Sequence, residues 1–388
     1  QLQEEYRYDI DLKRTFLSKA LLGGKVAKYT GPKIDTIYLD QEYGTYRVVA
    51  DPTETLSEVV FNVTNRAKQR YYLPRMTMMT AELVDHNVTV GDAVVVEKRA
   101  NIFINSTTSN EQSGEVSCRR ADITIIVPSA CLLQETKLNV KVLKGDIKSE
   151  GLNHANFDTI RFENTVGRIE AHDTQAFRTD LVTEAGELDV RNASAHYMLM
   201  ASSEDGGLMY AKNVTLYRGD NATTCVSQVN YTPGFPETPE YATTSVQCEK
   251  EEGSLTIDSR GAENGGHPAV EVDRVVGGHI SSKIKVGHTK LTVMACYDVT
   301  GEFSIKAPFG RRDASVDTSS LSQDRLSAFT GLGGAKEFDY FSLSAGSSKT
   351  LVGEICTQKE GIKNRNQTYT LENLTTGNIE IVVLPPTA

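Results

Sequence analysis

The chain contains no tryptophan among its 388 residues, and it lacks the sequence patterns of several common sites. It has no Gly-x-Ser-x-Gly nucleophile elbow and no Cys-x-x-Cys pair, which argues against α/β-hydrolases, zinc ribbons and thioredoxin-like proteins. Its seven His residues show no i, i+4 pair and no metal-ligand spacing. We therefore predict no catalytic residue, no metal site and no cofactor.

Long apolar runs and an excess of positive charge are also missing. No apolar stretch approaches the roughly 18 residues that a membrane-spanning helix needs. The 41 basic and 51 acidic residues give a formal net charge of -10. Nucleic acids and anionic lipids both require clustered Lys and Arg. We therefore expect no membrane span and no nucleic-acid partner, and a charge that keeps the chain dissolved.

Acceptor sequons for N-glycosylation, by contrast, are abundant. Nine of the nineteen Asn residues begin an Asn-x-Ser/Thr triplet, which is more than chance pairing would give. Together with a first residue that is not Met and the lack of a charged-then-apolar leader, the excess predicts a mature extracellular or cell-surface chain. A cloned fragment, or a chain rich in Ser and Thr with fortuitous spacing, is the alternative. The sequons begin at Asn62, Asn87, Asn105, Asn192, Asn213, Asn221, Asn230, Asn366 and Asn373.

The even number of cysteines agrees with an oxidising compartment. Six cysteines suggest three disulfides in a secreted protein, although buried free thiols would give the same count. Spacing cannot select among the fifteen possible connectivities. Cys225 with Cys248 is the single pairing that we favour, because the two flank a Pro-containing polar segment that resembles a long surface loop. The candidates are Cys118, Cys131, Cys225, Cys248, Cys296 and Cys356.

The most informative pattern is a Gly-x-apolar triplet that recurs mostly every twenty or so residues. Apolar and polar residues alternate on both sides of these glycines, as in Leu138, Val140 and Val142 before Gly145. Alternation with period two predicts strands that bury one face. Glycine suits the bend between two such strands because it tolerates φ values that cost other residues energy. The triplets begin at Gly145, Gly167, Gly186, Gly253, Gly278, Gly301, Gly353 and Gly377, and a shortened form begins at Gly207.

A strand, a glycine corner and a second strand form one coil of a β-solenoid. A single coil cannot bury its inner face, whereas stacked coils can. The alternative is an antiparallel sandwich, which also has short strands and Gly turns at regular intervals. We predict an all-β fold, a β-solenoid of stacked two-strand coils, for residues 118–388, with inserted loops at 217–245 and 309–348. Residues 1–117 lack the repeat and are predicted to be a β-rich N-terminal domain or cap, with a short helix at 11–22.

A family resemblance accompanies this pattern over residues 122–211. A strand with Ile123, Ile125 and Val127 is followed by Pro128 and then by the Gly-x-Ile coils. The stretch resembles the adhesin-like β-solenoid domains of unknown function in bacterial and fungal surface proteins, and it also looks like the bactofilin solenoid, whose members polymerise end to end. The resemblance implies a scaffold or adhesive role and supplies no catalytic residues. The sequons and cysteines depart from the cytosolic bactofilins.

These observations predict an extracellular N-glycosylated structural protein. It would be a surface scaffold or filament subunit that assembles through its solenoid ends, with self-association or other surface and matrix components as partners. A monomeric adhesin or ligand-binding module is the first alternative. A β-helix enzyme that cleaves polysaccharides is the second, and it is disfavoured because no repeated acidic column stands beside aromatic subsites. We expect the chain not to be an enzyme.

Overall fold

A computed structural model describes most of the chain, and nearly all of the described residues are strand. Inter-residue contacts divide the chain into two compact units, residues 1–183 with 226–243 and residues 184–225 with 244–388. The described residues are 2–5, 21–29, 31–51, 58–67, 76–90, 93–106, 120–128, 135–154, 157–203, 208–216, 253–260, 269–295, 301–317, 319, 341–344, 347, 349–356 and 367–385.

Among its described residues, the first unit contains ten strands and the beginning of an eleventh, together with a 3-10 turn at Leu152–His154. The strands are β1 (Leu2–Glu5), β2 (Leu21–Tyr29), β3 (Ile34–Ala50), β4 (Val59–Ala67), β5 (Thr77–Val90), β6 (Ala93–Ser106), β7 (Arg120–Val127), β8 (Lys137–Lys144), β9 (Ile147–Glu150), β10 (Phe157–His172) and β11 (Gln175–Arg191), whose second half belongs to the other unit.

Parallel pairing stacks these strands into coils. The first half of β3 lies between β6 and β8, and β10 pairs with the other side of β8. The second half of β3 lies between β7 and β9, and β10 also continues this ladder. Antiparallel strands extend both ladders, with β5 beside β6 and β4, β2 and β1 following β7. Each coil therefore consists of two strands, as predicted.

In-register pairing places like side chains above one another in the core. Ile37 pairs with Ile102 and Leu138, and Leu138 pairs with Ile160. All four side chains are buried. Each column removes apolar surface from water at about 25 cal/mol per Å². A single coil cannot gain this stabilisation, because its inner side chains would remain in contact with water.

The second unit contains the remaining strands. They are β12 (Ser194–Ser202), β13 (Met209–Leu216), β14 (Ser254–Ser259), β15 (Val270–Val276), β16 (His279–Val286), β17 (Thr289–Met294), β18 (Gly301–Lys306), β19 (Arg312–Val316), β20 (Phe341–Ser344), β21 (Thr350–Ile355), β22 (Gln367–Thr376) and β23 (Ile379–Leu384).

Two parallel ladders build this unit as well. One runs β12, β14, β16, β22, β18, and the other runs β11, β13, β15, β17, β23, β19. Antiparallel β21 and then β20 follow β18. The rung-upon-rung parallel pairing within each unit excludes the antiparallel sandwich and confirms the β-solenoid.

Glycine corners join the two strands of a coil. Gly44, Gly145 and Gly167 have φ values of 143°, 148° and 136°, a region that side chains with a Cβ rarely adopt. A Cβ on Gly145 would overlap the carbonyl oxygen of Gly44, and one on Gly167 would overlap that of Gly145. The three glycines thus form a column, the Gly44 column, in which successive backbones approach closely. The predicted corners at Gly301 and Gly377 also have positive φ.

Several predicted details differ from the structure. Gly353 is no corner, because it lies within antiparallel β21 opposite Phe303. The segment 309–348 is not simply a loop, since it contains β19 and β20. Residues 21 and 22 of the predicted helix begin β2, and residues 11–20 lie outside the described residues, as does the predicted loop 217–245.

Residues 1–117 are predicted to be a β-rich N-terminal domain or cap. Strand β3 of this region is inserted between the coil of β6 and β7 and the coil of β8 and β9. It therefore shares one core with strands beyond residue 117. Inter-residue contacts divide the chain near residue 183.

Candidate functional site

An outward sheet face of the first unit carries an open cavity of about 450 Å³. Strands β6, β3, β8 and β10 bury every second side chain, so the intervening side chains point outward in register. They form two rows of four across the sheet, which we call the outer-face rows. The first row is Phe103, Tyr38, Asn139 and Arg161, and the second is Asn105, Asp40, Lys141 and Glu163.

Two aromatic rings form one end of the first row. The rings of Tyr38 and Phe103 stack with centroids 5.0 Å apart and planes 6° from parallel. Tyr38 remains 39% exposed, although most large apolar side chains of this unit are buried. We call this pair the aromatic platform. It can pack against a flat apolar surface such as one face of a sugar ring, with the negative ring face attracting C–H groups.

Charged groups form the other end of both rows. Glu163 accepts contacts from Lys141 Nζ at 3.1 Å and from Arg161 Nη2 at 3.4 Å. All three side chains are at least 32% exposed, so the pairs contribute little to stability. They offer hydrogen-bond donors and acceptors to a polar ligand instead.

A second group of charges lies where β5 and β6 leave the stacked coils. Arg99 is only 2% exposed and donates to Glu135 at 2.8 Å and to Glu97 at 3.0 Å. Lys33 Nζ also donates to Glu135, at 2.9 Å. Glu135 has a φ of 69°, which is uncommon for a residue with a side chain. Two cations therefore stabilise one constrained carboxylate.

Two titratable groups in the same region have shifted pKa values. Burial raises the pKa of Asp158 from 3.8 to about 7, although nearby Lys137 acts in the opposite direction. Burial and then the charge of Arg99 lower the pKa of His86, while Asp35, 3.3 Å away, raises it. Groups with shifted pKa values occur at catalytic sites and also in structural ion-pair networks. Arg99 and Lys33 both pair with Glu135 in this region, so the arrangement fits a structural network.

The described residues also bear on metal binding and on membrane crossing. Within the part of the chain that the structure describes, no three His, Cys, Asp or Glu side chains converge to hold a metal ion. Over the same residues, no helix is long and apolar enough to cross a membrane.

The sequons fall in different environments. Asn87, Asn105, Asn192 and Asn213 are exposed, and Asn62 is half-buried in β4. Asn373 is 1% exposed, and its Nδ2 donates to the carbonyl oxygen of Gly287 at 2.8 Å. This amide nitrogen therefore does not match the exposed acceptor that the sequon predicts. The three others, Asn221, Asn230 and Asn366, lie outside the described residues.

Two sequon asparagines occupy equivalent corners of neighbouring coils. Asn192 and Asn213 have φ values of 51° and 52°, in the left-handed region that Asn tolerates better than most residues. Asn213 Nδ2 donates to Asn192 Oδ1 at 3.1 Å. A structural reason for asparagine thus exists at these two positions besides glycosylation.

One cysteine is described. Cys356 is disulfide-bonded and 3% exposed at the end of β21. The other candidates, Cys118, Cys131, Cys225, Cys248 and Cys296, lie outside the described residues, so the favoured pairing of Cys225 with Cys248 stays a prediction.

The sequence did not single out the outer-face rows. Tyr38 and Phe103 each follow the alternation of their own strand, which could have marked them as outward aromatic residues. Their meeting depends on the pairing of β3 with β6, strands far apart in the sequence. The charged end depends likewise on the register of β8 with β10.

Two solved structures are similar to the chain over most of its length. One is a candidate cell adhesion protein from Clostridium sporogenes, with 9% identity over 93% of this chain and 99% of that chain at a TM-score of 0.23. The other is a candidate adhesin from Bacteroides fragilis, with 9% identity over 92% of this chain and 96% of that chain at a TM-score of 0.30. Likeness at these scores carries no functional inference.

Similarity to a protein family covers part of the chain. No curated protein sequence matches significantly. Residues 76–223 match the family model Toastrack DUF4097. This range includes residues 122–211, on which the resemblance to β-solenoid domains of unknown function rests, and it does not point to bactofilins specifically. Over residues 76–223 the chain is therefore similar to the Toastrack DUF4097 family.

Proposed function

We propose that this chain is an extracellular, N-glycosylated structural protein that serves as a surface scaffold and associates with further copies of itself. The observation that carries the proposal is the in-register parallel stacking of two-strand coils in each unit. Such coils share continuous buried columns and backbone ladders, so they resist deformation along the stack. A stiff body without a catalytic arrangement in its described part suits a mechanical role.

Two features support the extracellular part of the proposal. Four of the described sequons are exposed on strands or corners, where an oligosaccharide could be carried without disturbing the core. Cys356 is disulfide-bonded, and structural disulfides persist mainly in oxidising compartments. Expression in a eukaryotic secretory host tests this directly. We expect the secreted chain to lose mass on treatment with a peptide N-glycosidase, and an unchanged mass would contradict it.

The hairpin of β5 and β6 supports self-association. It carries Leu83, Val94, Val95 and Val96 with exposures between 49% and 67%. These residues occupy both faces of the hairpin, because successive strand residues alternate. Exposed apolar side chains on a strand pair that borders a sheet are a typical surface for joining another chain. A second copy is the partner that the scaffold proposal requires.

Sedimentation and negative-stain imaging of the secreted chain test the association. We expect assemblies in the unaltered chain, monomers in Val95→Lys, and assemblies in the control Leu143→Lys, which alters an exposed apolar residue of β8. Monomers of the unaltered chain at every concentration would contradict the proposal. Equal assembly of both variants would show that the hairpin is not the surface through which copies associate.

The outer-face rows favour a second function, that of a monomeric adhesin or ligand-binding module. Stacked rings at one end and exposed charges at the other could bind a polar ligand with an apolar face. Saturable binding to a glycan array that Arg161→Ala weakens, in a chain that remains monomeric, would favour this function over the scaffold.

The proposal includes no enzymatic activity. Solenoids that hydrolyse polysaccharides need two carboxyl groups on opposite sides of the scissile bond. In the second outer-face row Asp40 and Glu163 are separated by Lys141, which pairs with Glu163. We expect no loss of viscosity when the chain is incubated with a panel of polysaccharides.

A further inference from the structure

The aromatic platform lies beside a glycosylation sequon on the same sheet face. Phe103 and Asn105 are two residues apart on β6 and both point outward, which separates their Cα atoms by about 6.8 Å. Tyr38 pairs with Phe103, and Asp40 pairs with Asn105. A group attached to Asn105 would therefore begin beside the Phe103 ring, on the same face of the sheet.

Asn105 is available as an acceptor. Its side chain is exposed, and no described residue forms a hydrogen bond with it. The neighbouring side chain on the other strand, Met78, is 64% exposed, so no described part of the chain covers this face at that point. Asn373, whose amide is buried and bonded, lacks this freedom.

The position of the aromatic residue distinguishes this sequon from the others. Of the nine sequons, Asn105 alone is preceded by an aromatic residue two positions earlier. Asn87, the exposed sequon of the adjoining strand β5, has Asp85 at that position and pairs with Val96. It therefore offers a matched site on the same hairpin without a ring.

The chemistry of the two partners is complementary. An N-glycan made in a eukaryotic secretory pathway begins with a β-linked N-acetylglucosamine, one face of which presents C–H groups. Such a face packs on the electron-rich face of an aromatic ring, and it also covers apolar surface that would otherwise remain in water. Tyr38 is 39% exposed without that cover.

We propose that the aromatic platform binds the first N-acetylglucosamine of a glycan attached to Asn105. The inference rests on the proposed N-glycosylation and adds a defined binding place for one of the glycans. The glycan would shield the outward face of β3 and β6 from other strands and ligands. The Asn105 glycan would then occupy a surface that could otherwise bind a free saccharide.

The test uses the full chain from a eukaryotic secretory host, with its glycans trimmed to single N-acetylglucosamine residues. Melting temperatures are compared for Asn105→Gln in the unaltered chain and in Phe103→Leu and Tyr38→Thr backgrounds, with Asn87→Gln as the control. We expect Asn105→Gln to lower the melting temperature by about 2 °C. The loss should vanish in both backgrounds, and Asn87→Gln should have no effect.

Nuclear magnetic resonance provides a readout that does not depend on stability. Ring currents should move sugar protons of the Asn105 residue upfield, and Phe103→Leu should restore their ordinary shifts. An occupied Asn105 with ordinary shifts and no coupling to Phe103 would overturn the inference. So would saturable binding of free chitobiose to the platform of a chain whose Asn105 is fully occupied, because an attached sugar packed on the rings would block that binding.

Glycopeptide mass spectrometry separates the two proposals. If Asn105 is unmodified while other sequons are occupied, the proposed sugar contact at Asn105 is wrong, but the proposal of a glycosylated scaffold is not affected. No occupied sequon at all would overturn both.

Discussion

At the residue scale, the corners of the coils depend on the absence of a Cβ atom in glycine. In the Gly44 column each glycine combines a positive φ with a carbonyl oxygen in the space of its missing Cβ. Gln41 and Asn164 reinforce the corners by donating side-chain amide hydrogen bonds to Ala121 and Gly145, respectively. A side chain there would meet both a torsional and a steric penalty.

Gly145→Ala should therefore destabilise the first unit by at least about 2 kcal/mol, because the new Cβ would force the Gly44 corner to move. Urea denaturation checks this, with exposed Lys144→Ala as the neighbouring control. Equal stability of the two variants would mean that the backbone can relax around the added methyl group.

Burial of Asp158 should make stability depend on pH. Its pKa is about 7 in the folded chain and 3.8 in the unfolded chain, so the folded chain retains a proton that the unfolded chain releases between these values. The stabilisation is complete below pH 3.8 and is lost as pH rises through 7, with a slope approaching about 1.4 kcal/mol per pH unit.

Asp158→Asn keeps a neutral side chain of the same size and should remove that slope. Urea denaturation at several pH values from 4.5 to 7.5 measures this. The free energy of unfolding of the variant should increase relative to that of the unaltered chain as pH rises. Parallel curves for Asp158→Asn and the unaltered chain would contradict a neutral buried carboxyl.

At the element scale, β22 shows how a strand's position overrides a sequence motif. It lies between β16 and β18, and its residue Asn373 points inward, where its amide donates to Gly287. The same kind of bond joins Asn164 to Gly145 in the first unit. An inward amide at a glycine corner is thus a structural feature of both units.

Asn373 should accordingly remain unmodified in folded, secreted chain, since a glycan on its Nδ2 would break the bond to Gly287 and enter the core. Glycopeptide mass spectrometry measures its occupancy, with exposed Asn87 as the comparison. Full occupancy of Asn373 would show that modification precedes folding and that the corner tolerates the loss.

At the scale of the whole molecule, covalent cross-linking adds to a stability that otherwise comes from coil stacking. The disulfide of Cys356 limits the conformations open to the unfolded chain, and a structural disulfide typically contributes about 2–4 kcal/mol. Extracellular proteins retain this contribution because their surroundings do not reduce it.

Cys356→Ser should lower the free energy of unfolding by an amount in that range, and a reducing agent should lower that of the unaltered chain but change the variant less. Denaturant titration with and without dithiothreitol measures both effects. An unaltered stability in Cys356→Ser would show that the cross-link contributes nothing beyond the core around β21.

The sequence determined the local structure by itself. Alternating side chains specified strands with one buried face, as in Leu138, Val140 and Val142 of β8, and glycines marked corners such as Gly145 and Gly167. These features follow from backbone sterics and strand geometry, which act over a few residues. The all-β class and the two-strand coil could therefore be predicted.

Only the tertiary structure decided the order of the coils. Strand β3 enters between later strands of the first unit, and β22 and β23 enter between earlier strands of the second. The aromatic platform and the buried amide of Asn373 follow from that order. Strand alternation says which face is buried but not which strand lies alongside, because the partner is selected by packing between residues distant in the chain.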